Sequence, residues 1–231
     1  MNHNHPNADA RPQVKICGLT DVKQAIGCVE LGADAIGCVF FSKSPRYVPE
    51  QRAKEICMSL PSKVQTVGVF VNETFSRIMQ KVERCRLTAV QLHGQESPEL
   101  VRDLKRENLL VIKALFVQRE PLLKQVSNYD ADAFIVEYGR GPLPGGNADA
   151  WEWNQAYEFS KNKPLVLAGG LTPENVSEAV RSCLPDAVDV SSGVESFPGK
   201  KELAKVESFI DAVSRCLILL EPDRKKMRRI F

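Results

Sequence analysis

The sequence predicts a single-domain (β/α)8 (TIM) barrel of the α/β class, and three observations lead to this prediction. Short apolar runs alternate eight times with amphipathic stretches, polar residues recur at every second position near the ends of several runs, and glycine-rich turns follow the last two runs. The chain has 231 residues, enough for one sizeable core and slightly fewer than the ~250 residues usual for this fold.

The eight apolar runs are the predicted strands. Alternation of strands with helical stretches is typical of a parallel sheet, and eight such units in one domain indicate a closed barrel. The runs begin near residues 14, 34, 64, 88, 109, 132, 164 and 186.

Cap signals mark three of the intervening helices. Thr20 precedes the stretch DVKQAIGCVE, and Ser97 and Thr172 each precede a proline suited to the first helical position. We therefore expect helices to begin directly after Thr20, Ser97 and Thr172.

Polar side chains at alternate positions distinguish this barrel from an open doubly wound sheet, whose central strands are usually apolar on both faces. Period two places each set on one face of its strand. If that face points into the barrel, the groups meet at the carboxyl-terminal mouth, where barrel enzymes place their chemistry. The alternative is a hydrogen-bond network that only holds the barrel together. The set comprises Lys15, Cys17, Gln91, His93, Lys113, Glu137, Asp189 and Ser191.

The turns after the seventh and eighth runs predict a phosphate site. Residues 168–172 read AGGLT and residues 191–195 read SSGVE. Small residues let a ligand approach backbone N–H groups, and a helix N-terminus adds partial positive charge. Ser192 and Glu195 also have capping-box spacing, which predicts a short extra helix after strand 8.

Composition argues against nucleic acid and membrane partners. The 31 basic and 29 acidic residues leave a net charge of +2, and no run of about 18 apolar residues occurs. Seven cysteines without a C-x-x-C pair favour a reducing compartment, so we expect a cytoplasmic protein. His93 is the one histidine outside the N-terminal leader, so we expect no His-rich metal site.

Three segments are expected along the chain. Residues 1–12, which contain His3 and His5, form a disordered leader, and residues 13–216 form the barrel. Residues 217–231 form a basic C-terminal tail, expected to be solvated and partly helical; contact with a partner or an anionic surface is the alternative.

Seven sequence blocks resemble those of the phosphoribosylanthranilate isomerase family of the tryptophan pathway. The resemblance runs from about Val14 to about Ile210 and implies a (β/α)8 barrel. It also implies an Amadori rearrangement of N-(5-phosphoribosyl)anthranilate to the carboxyphenylamino-deoxyribulose phosphate, without metal or organic cofactor. The blocks are VKICGLT, GADAIGCVFFSKSPRYV, VGVFVN, VQLHG, VIKA, LAGGLTPENV and VDVSSGVESFPGKK.

This chemistry needs an acid that protonates the furanose ring oxygen and a base that removes a proton from the neighbouring carbon. The family's base matches Cys17, whose pKa a nearby cation can lower, and Gly18 would leave room for substrate. The family's acid is an aspartate where this chain has Glu137. The extra methylene predicts a re-aimed strand tip or a rate penalty. Asp130 and Asp132, at the opposite end of that strand, are not candidates.

The resemblance also assigns binding roles. Arg46 matches the arginine that holds the anthranilate carboxylate, for which a planar guanidinium suits bidentate pairing, and His93 is expected to line the mouth or hydrogen-bond the substrate. The supporting residues are Lys15, Gln91, Asp189 and Ser191, and the phosphate-cradle candidates are Gly146, Gly170, Ser192 and Gly193.

Three functions remain open at this stage. The first is the active isomerase, a monomer or homodimer acting on a small phosphorylated substrate. The second is a catalytically weakened barrel that binds a phosphorylated ligand as an interaction module, suggested by Glu137 and the altered loop GRGPLPGGNADA. Cys17 and Arg46 argue against it, because a pure phosphate binder needs neither. The third is another phosphate-binding barrel enzyme, such as an indoleglycerol-phosphate synthase or a ribulose-phosphate epimerase. The synthase has other strand-end motifs, and the epimerase needs metal-binding histidines that the barrel segment lacks.

Overall fold

Eight parallel strands close into a barrel, as the sequence predicts. The computed structural model describes residues 11–141, 150–216 and 227–231. Each strand pairs with the next along the chain, and β8 pairs with β1 to close the sheet. The strands are β1 (Gln13–Cys17), β2 (Ala35–Val39), β3 (Gln65–Phe70), β4 (Ala89–Leu92), β5 (Leu110–Phe116), β6 (Ala133–Glu137), β7 (Leu165–Leu167) and β8 (Ala187–Val190).

Helices surround the barrel, with one departure from strict alternation. Between β5 and β6 the chain forms a 3-10 turn, Leu123–Asn128, where the repeat predicts an α-helix. The helices are α1 (Val22–Glu30), α2 (Glu50–Met58), α3 (Phe75–Cys85), α4 (Pro98–Arg106), α5 (Tyr157–Asn162), α6 (Val176–Cys183) and α7 (Leu203–Ser214). A two-stranded antiparallel hairpin, β9 (Glu195–Phe197) and β10 (Lys200–Lys201), precedes α7.

One of the three predicted helix starts is confirmed. The Ser97 side chain accepts from the Leu100 N–H, with proline at the first position of α4. The cap of α1 is Asp21 rather than Thr20, because Asp21 accepts from the Gln24 N–H at 3.0 Å. Thr20 instead donates to the Gly199 carbonyl at 2.7 Å.

The third predicted start is also wrong. Helix α6 begins at Val176, three residues after Pro173. The Thr172 N–H donates to the Asn175 side chain at 2.8 Å, and this contact stabilises a separate turn before the helix.

Small and branched apolar residues fill the lower part of the barrel interior. The alternation along each strand sends one set of side chains inward and the other outward against the helices. The inward set includes Ala35, Val67, Ala89, Ile112, Ile135, Val166 and Ala187, and all of them are fully buried or nearly so. Inward-facing polar groups therefore lie at the two ends of this apolar layer, with Gln13 at the amino-terminal end and Gln91 and Asp189 toward the carboxyl ends of their strands.

The last five residues cover the amino-terminal end of the barrel. Met227 and Phe231 are buried, and Phe231 packs with the inward-facing apolar set. The Gln13 side-chain oxygen accepts from the N–H groups of Ile230 at 2.6 Å and Phe231 at 2.9 Å. The expectation of a solvated tail is therefore wrong for residues 227–231, because apolar burial and hydrogen bonding hold them to the barrel.

Arg228 fastens this segment to the ends of α5 and β8. Its guanidinium pairs with the Asp186 carboxylate at 3.2 Å, and its backbone N–H donates to the same carboxylate at 2.8 Å. It also donates to three backbone carbonyls, those of Ser160, Lys161 and Lys163.

The structure bears on three further expectations: the disordered leader, the state of the cysteines and the absence of a membrane span. The expected leader lies mostly outside the described residues, and of its last two residues Arg11 pairs with Asp34 at 3.1 Å while Pro12 is buried. All seven cysteines lie in the described part of the chain, where they are buried thiols. No helix in that part is long and apolar enough to cross a membrane.

Candidate active site

An open pocket lies at the carboxyl-terminal mouth of the barrel. Its walls are formed by the carboxyl ends of the strands and by the loops that follow them. Most of the residues predicted from the alternate polar pattern, the glycine turns and the family resemblance line it together. They are Cys17, Arg46, Gln91, His93, Glu137, Gly170, Asp189, Ser191 and Ser192.

Lys113 does not reach this pocket, so its predicted place at the mouth is wrong. Its strand neighbours Ile112 and Ala114 face the barrel interior, which puts Lys113 on the outer face. There its ammonium pairs with Glu96 at 2.9 Å and donates to the Gly94 carbonyl at 2.8 Å. The lysine therefore fastens the loop after β4 rather than meeting a substrate.

Cys17 ends β1 with its side chain at the pocket wall and only 7% of the residue exposed. Burial raises the pKa of the thiol, and the nearby Lys15 ammonium opposes this shift without cancelling it. The expectation that a cation lowers this pKa is thus wrong in net direction, because desolvation of the thiolate outweighs the attraction.

Gly37 on β2 makes room for this pair, and sequence reasoning missed it. A Cβ at Gly37 would lie 2.8 Å from the Cys17 sulfur and 3.1 Å from the Lys15 nitrogen. A single glycine inside a strand often marks such a close approach, so the run DAIGCVF did carry a signal.

A buried ion pair lies beneath the thiol. The Lys15 ammonium donates to Asp189 at 2.8 Å across neighbouring strands β1 and β8. Burial disfavours the ammonium, but Asp189 and the thiolate form of Cys17 outweigh it, so the pKa of Lys15 is raised. Lys15 is therefore a fixed positive charge close to the sulfur.

Glu137 ends β6 and also lines the pocket. Burial raises the pKa of its carboxyl group to about 8, and repulsion from Asp189 adds to the shift. Lys15 and Arg119 oppose the shift. At neutral pH this carboxyl group is protonated, which is the state that a general acid requires.

Gln91 lies on β4, and His93 is the residue directly after this strand. Their side chains form a hydrogen-bonded pair. The Gln91 side-chain nitrogen lies 2.9 Å from His93 Nδ1, and His93 Nε2 lies 3.5 Å from Glu137 Oε1. Burial lowers the pKa of His93 to about 3, and three cations reinforce the shift, so the ring is neutral. These cations are Lys113, Lys15 and Arg119.

Arg46 is held by a carboxylate that the sequence did not single out for this role. Its Nε and one terminal nitrogen donate to Glu195 at 2.7 to 3.1 Å, and Lys201 pairs with the same carboxylate at 2.7 Å. Burial opposes ionisation, but hydrogen bonds from both cations lower the pKa of Glu195. One edge of the Arg46 guanidinium is therefore occupied by protein.

The Arg46 side chain also fills the space expected beside Gly18. A Cβ at Gly18 would lie 2.6 Å from Arg46 Cδ and 3.1 Å from the Ser191 hydroxyl. Gly18 has a φ of +78°, which favours glycine. This glycine therefore serves the turn and the packing of Arg46 rather than leaving room for substrate.

The loop after β7 is fixed by two tryptophans and an asparagine. The indole N–H of Trp151 donates to the Ala168 carbonyl at 3.0 Å, and that of Trp153 donates to the Gly169 carbonyl at 3.3 Å. Asn175 donates to the Gly170 carbonyl at 2.8 Å. With its carbonyls turned to these donors, the loop lines the pocket with Gly169 and Gly170, both at positive φ.

The turn after β8 is a single 3-10 turn, Ser192–Val194. The predicted capping box is wrong, because the Glu195 side chain binds Arg46 and Lys201 instead. Ser191 donates to the Cys17 carbonyl at 3.0 Å and accepts from Lys201. Gly193 packs against the Leu171 carbonyl so closely that a Cβ would collide with it. Gly146, the remaining phosphate candidate, lies outside the described residues.

Asp130 and Asp132 lie away from the pocket, as expected. Both pair with Lys105 at 3.3 Å at the amino-terminal end of β6. Within residues 11–141, 150–216 and 227–231, no three histidine, cysteine or carboxylate side chains are grouped so that they could hold a metal ion.

Fold and site together define a class: a (β/α)8-barrel enzyme with a thiol, a protonated carboxyl group and glycine-rich loops at the mouth. The family model for N-(5′-phosphoribosyl)anthranilate isomerase matches residues 14–212. The chain belongs to this family, and it is an isomerase of tryptophan biosynthesis.

Individual relatives support this assignment. An N-(5′-phosphoribosyl)anthranilate isomerase from Desulfatibacillum aliphaticivorans is 51% identical over 219 residues, which cover 95% of this chain and 98% of the relative. A solved family structure in complex with reduced 1-(o-carboxyphenylamino)-1-deoxyribulose 5-phosphate has a TM-score of 0.77 and 41% identity, covering 87% and 98% of the two chains. A structure of monomers generated from the dimeric Thermotoga maritima enzyme has a TM-score of 0.78 and 40% identity, with the same coverage.

Proposed function

We propose that the chain isomerises N-(5′-phosphoribosyl)anthranilate with Glu137 as general acid and Cys17 as general base. The observation that carries this assignment is that both groups line one pocket, at the ends of β6 and β1, and that Glu137 is protonated at neutral pH. Two groups of this kind are sufficient for the rearrangement, because it needs one proton delivered and one removed.

In the first step the Glu137 carboxyl group donates its proton to the furanose ring oxygen. The bond between that oxygen and the anomeric carbon breaks, the electron pair stays on the oxygen, and the anthranilate nitrogen forms a Schiff base. The raised pKa of Glu137 favours this transfer, because the protonated form predominates below about pH 8.

In the second step the Cys17 thiolate removes the proton from the neighbouring carbon and gives an enolamine, which tautomerises to the ketone. The nearby Lys15 ammonium stabilises the thiolate, and Asp189 holds the ammonium in place. The geometry therefore supplies a local positive charge for a thiol that burial otherwise keeps protonated.

Arg46 and the two loops supply the binding contacts in this proposal. Since Glu195 occupies one edge of the Arg46 guanidinium, the substrate carboxylate would meet the remaining N–H groups. The phosphate would meet the backbone of Gly170, Ser192 and Gly193. We propose a cytoplasmic protein, a monomer or homodimer, acting on a small phosphorylated substrate.

The test is steady-state turnover of freshly generated phosphoribosylanthranilate by the wild-type protein and three variants. Cys17→Ser and Glu137→Gln should each lose about two orders of magnitude or more in kcat, the usual contribution of a general acid or base. Glu137→Asp should retain activity. The ratio of its kcat to that of the wild-type protein measures the effect of the extra methylene on the rate. An inactive wild-type protein would favour the binding-module alternative, and an unchanged rate in Glu137→Gln would remove Glu137 as the acid.

A further inference from the structure

We propose that His93 is a positioning residue for Glu137. Held by Gln91 with its proton on Nε2, His93 donates to one carboxyl oxygen of the acid when substrate is bound, and so directs the other oxygen, which carries the proton, toward the substrate. This inference rests on the proposed function in one respect, the role of Glu137 as the acid.

The first support is the geometry of the pair on β4. An amide nitrogen can only donate, so the Gln91 nitrogen at 2.9 Å makes His93 Nδ1 the acceptor and leaves the ring proton on Nε2. Nε2 faces Glu137 Oε1 at 3.5 Å. Catalytic hydrogen bonds are often this long without substrate and shorten in the complex.

Packing holds the imidazole in this orientation. The Phe116 ring meets it edge to face, with the ring centres 5.7 Å apart and the planes at 89°. Gln91 and His93 are only 1% and 5% exposed, which shields their mutual hydrogen bond from most of the solvent in the pocket. The Gln91 side-chain oxygen is buried with no hydrogen-bond partner among the described residues, so the amide is committed to His93 alone.

Charge excludes two other roles for His93. The charges that act on the ring are those of Lys15 on β1, Lys113 on β5 and Arg119 after β5, all cationic, and the group in contact with its Nε2 is Glu137 on β6. The neutral ring is therefore neither a proton donor for the substrate nor the cation of an ion pair with Glu137. A directed N–H bond is what remains for it to offer.

The bond has a defined use in the proton transfer. The bond between Oε2 and its proton breaks as the bond from that proton to the ring oxygen forms, and the negative charge stays on the Glu137 carboxylate. The His93 N–H stabilises that charge through Oε1. A glutamate has one more rotatable bond than an aspartate, so its carboxyl group has more need of such a support.

The experiment compares the wild-type protein with His93→Phe, His93→Gln and Gln91→Met. His93→Phe should lower kcat by about 10- to 100-fold, the cost of misplacing a catalytic group by about 1 Å, with little change in KM. It should also raise the pKa of Glu137, followed by carboxyl carbon NMR, because the carboxylate loses a donor. His93→Gln, whose amide can still donate, should recover part of both effects.

A second readout concerns the tautomer alone. Nitrogen NMR of the wild-type imidazole should show the proton on Nε2, and Gln91→Met should give a mixture of the two tautomers. Gln80→Met, at an exposed position on α3, is the matched control and should change neither the spectrum nor the rate.

Several results would overturn the proposal. These are a ring proton on Nδ1 in the wild-type protein, an unchanged Glu137 titration and kcat in His93→Phe, or a change confined to KM, which would make His93 a substrate-binding residue. If His93→Phe does not fold, His93→Gln and the wild-type nitrogen spectrum decide. If the wild-type protein does not isomerise the substrate, the proposed function fails, and the titration and the tautomer still decide this proposal.

Discussion

At the scale of single residues, the site depends on two acidic groups, and burial raises the pKa of both. Glu137 titrates near pH 8, and Cys17 titrates above the range of an ordinary cysteine. The reaction needs the first protonated and the second ionised, so the productive form is a minority at every pH.

The pH dependence of kcat/KM follows from these shifts. The rate should rise with pH up to about 8, as the thiolate fraction increases while Glu137 stays protonated. It should be level between the two pKa values and fall above that of Cys17, as the loss of protonated Glu137 is no longer balanced by added thiolate. A pH–rate profile checks this, and a maximum near pH 6 would contradict it.

Gly37 allows a second prediction at this scale. Gly37→Ala places a methyl group against the Cys17 sulfur and the Lys15 nitrogen, so kcat should fall by about tenfold or more while the barrel stays folded. Gly68→Ala on β3 is the matched control, since its methyl group would meet Leu87 and Phe70 instead. We expect the control to lose stability in urea unfolding without a comparable loss of kcat.

Residue-level prediction succeeded where alternation was visible and failed where it was not. Period two correctly brought Cys17, Glu137 and Asp189 to one mouth. It misplaced Lys113, because β5 is apolar on both sides of this residue and so gives no internal sign of which face is inward. It could not predict the role of Glu195, whose capping-box spacing competes with its tertiary contacts.

At the scale of elements, the hairpin of β9 and β10 holds the arginine of the loop after β2. Glu195 and Lys201 come from the hairpin, and both ion pairs are nearly free of solvent. Removing one partner of such a group leaves charge unpaired, so Glu195→Gln should lower the free energy of unfolding by about 3 to 5 kcal/mol.

The same change should raise KM, because Arg46 loses its orientation. Glu99→Gln is the matched control: the Glu99–Arg102 pair is exposed on α4, so its loss should change the free energy of unfolding little. Urea unfolding together with KM for both variants checks this. Equal effects in the two variants would show that burial of the Arg46 pair is irrelevant.

The loop after β7 gives a prediction for the phosphate. Trp151→Phe keeps the packing against Tyr138 but removes the donor to the Ala168 carbonyl. A buried carbonyl left unpaired costs about 1 to 3 kcal/mol of folding free energy. Because this cost loosens the loop proposed to bind the phosphate, we expect the affinity for inorganic phosphate to fall about tenfold. Trp153→Phe, which removes a longer bond to the adjacent Gly169, should have a smaller effect. A competition assay with phosphate measures both, and a larger loss in Trp153→Phe would contradict the assignment.

At the scale of the whole molecule, the fold was predictable because each strand–helix unit repeats the same local signals, and eight repeats leave few topologies. The C-terminal segment was not predictable. Its basic residues predict a solvated tail, but Arg228 contacts a carboxylate and three backbone carbonyls at the amino-terminal end of the barrel. These partners belong to residues 42 to 68 positions earlier in the chain, so local sequence gives no sign of them.

This segment should contribute to stability and not to catalysis. Arg228→Ala removes a charged donor from Asp186 and three carbonyls, so the free energy of unfolding should fall by about 2 to 4 kcal/mol. Phe231→Ala should cost about 3 to 5 kcal/mol at a barrel core position. Both variants should keep the wild-type kcat at a temperature where they are folded. Arg215→Ala is the control, because Arg215 is exposed at the end of α7 and its replacement should change stability little.

One strand, β1, joins these two regions: Gln13 holds the terminal segment at one end, and Cys17 supplies the thiol at the other. The two groups stand at opposite ends of a five-residue strand. Four steps along the strand separate them by about 13 Å, beyond the range in which substitutions usually interact. Changes at the closed end and at the mouth should therefore combine additively. The barrel can gain or lose thermal tolerance through its closed end while the chemistry at the mouth is adjusted independently, which gives this chain two separate routes along which selection or design can act.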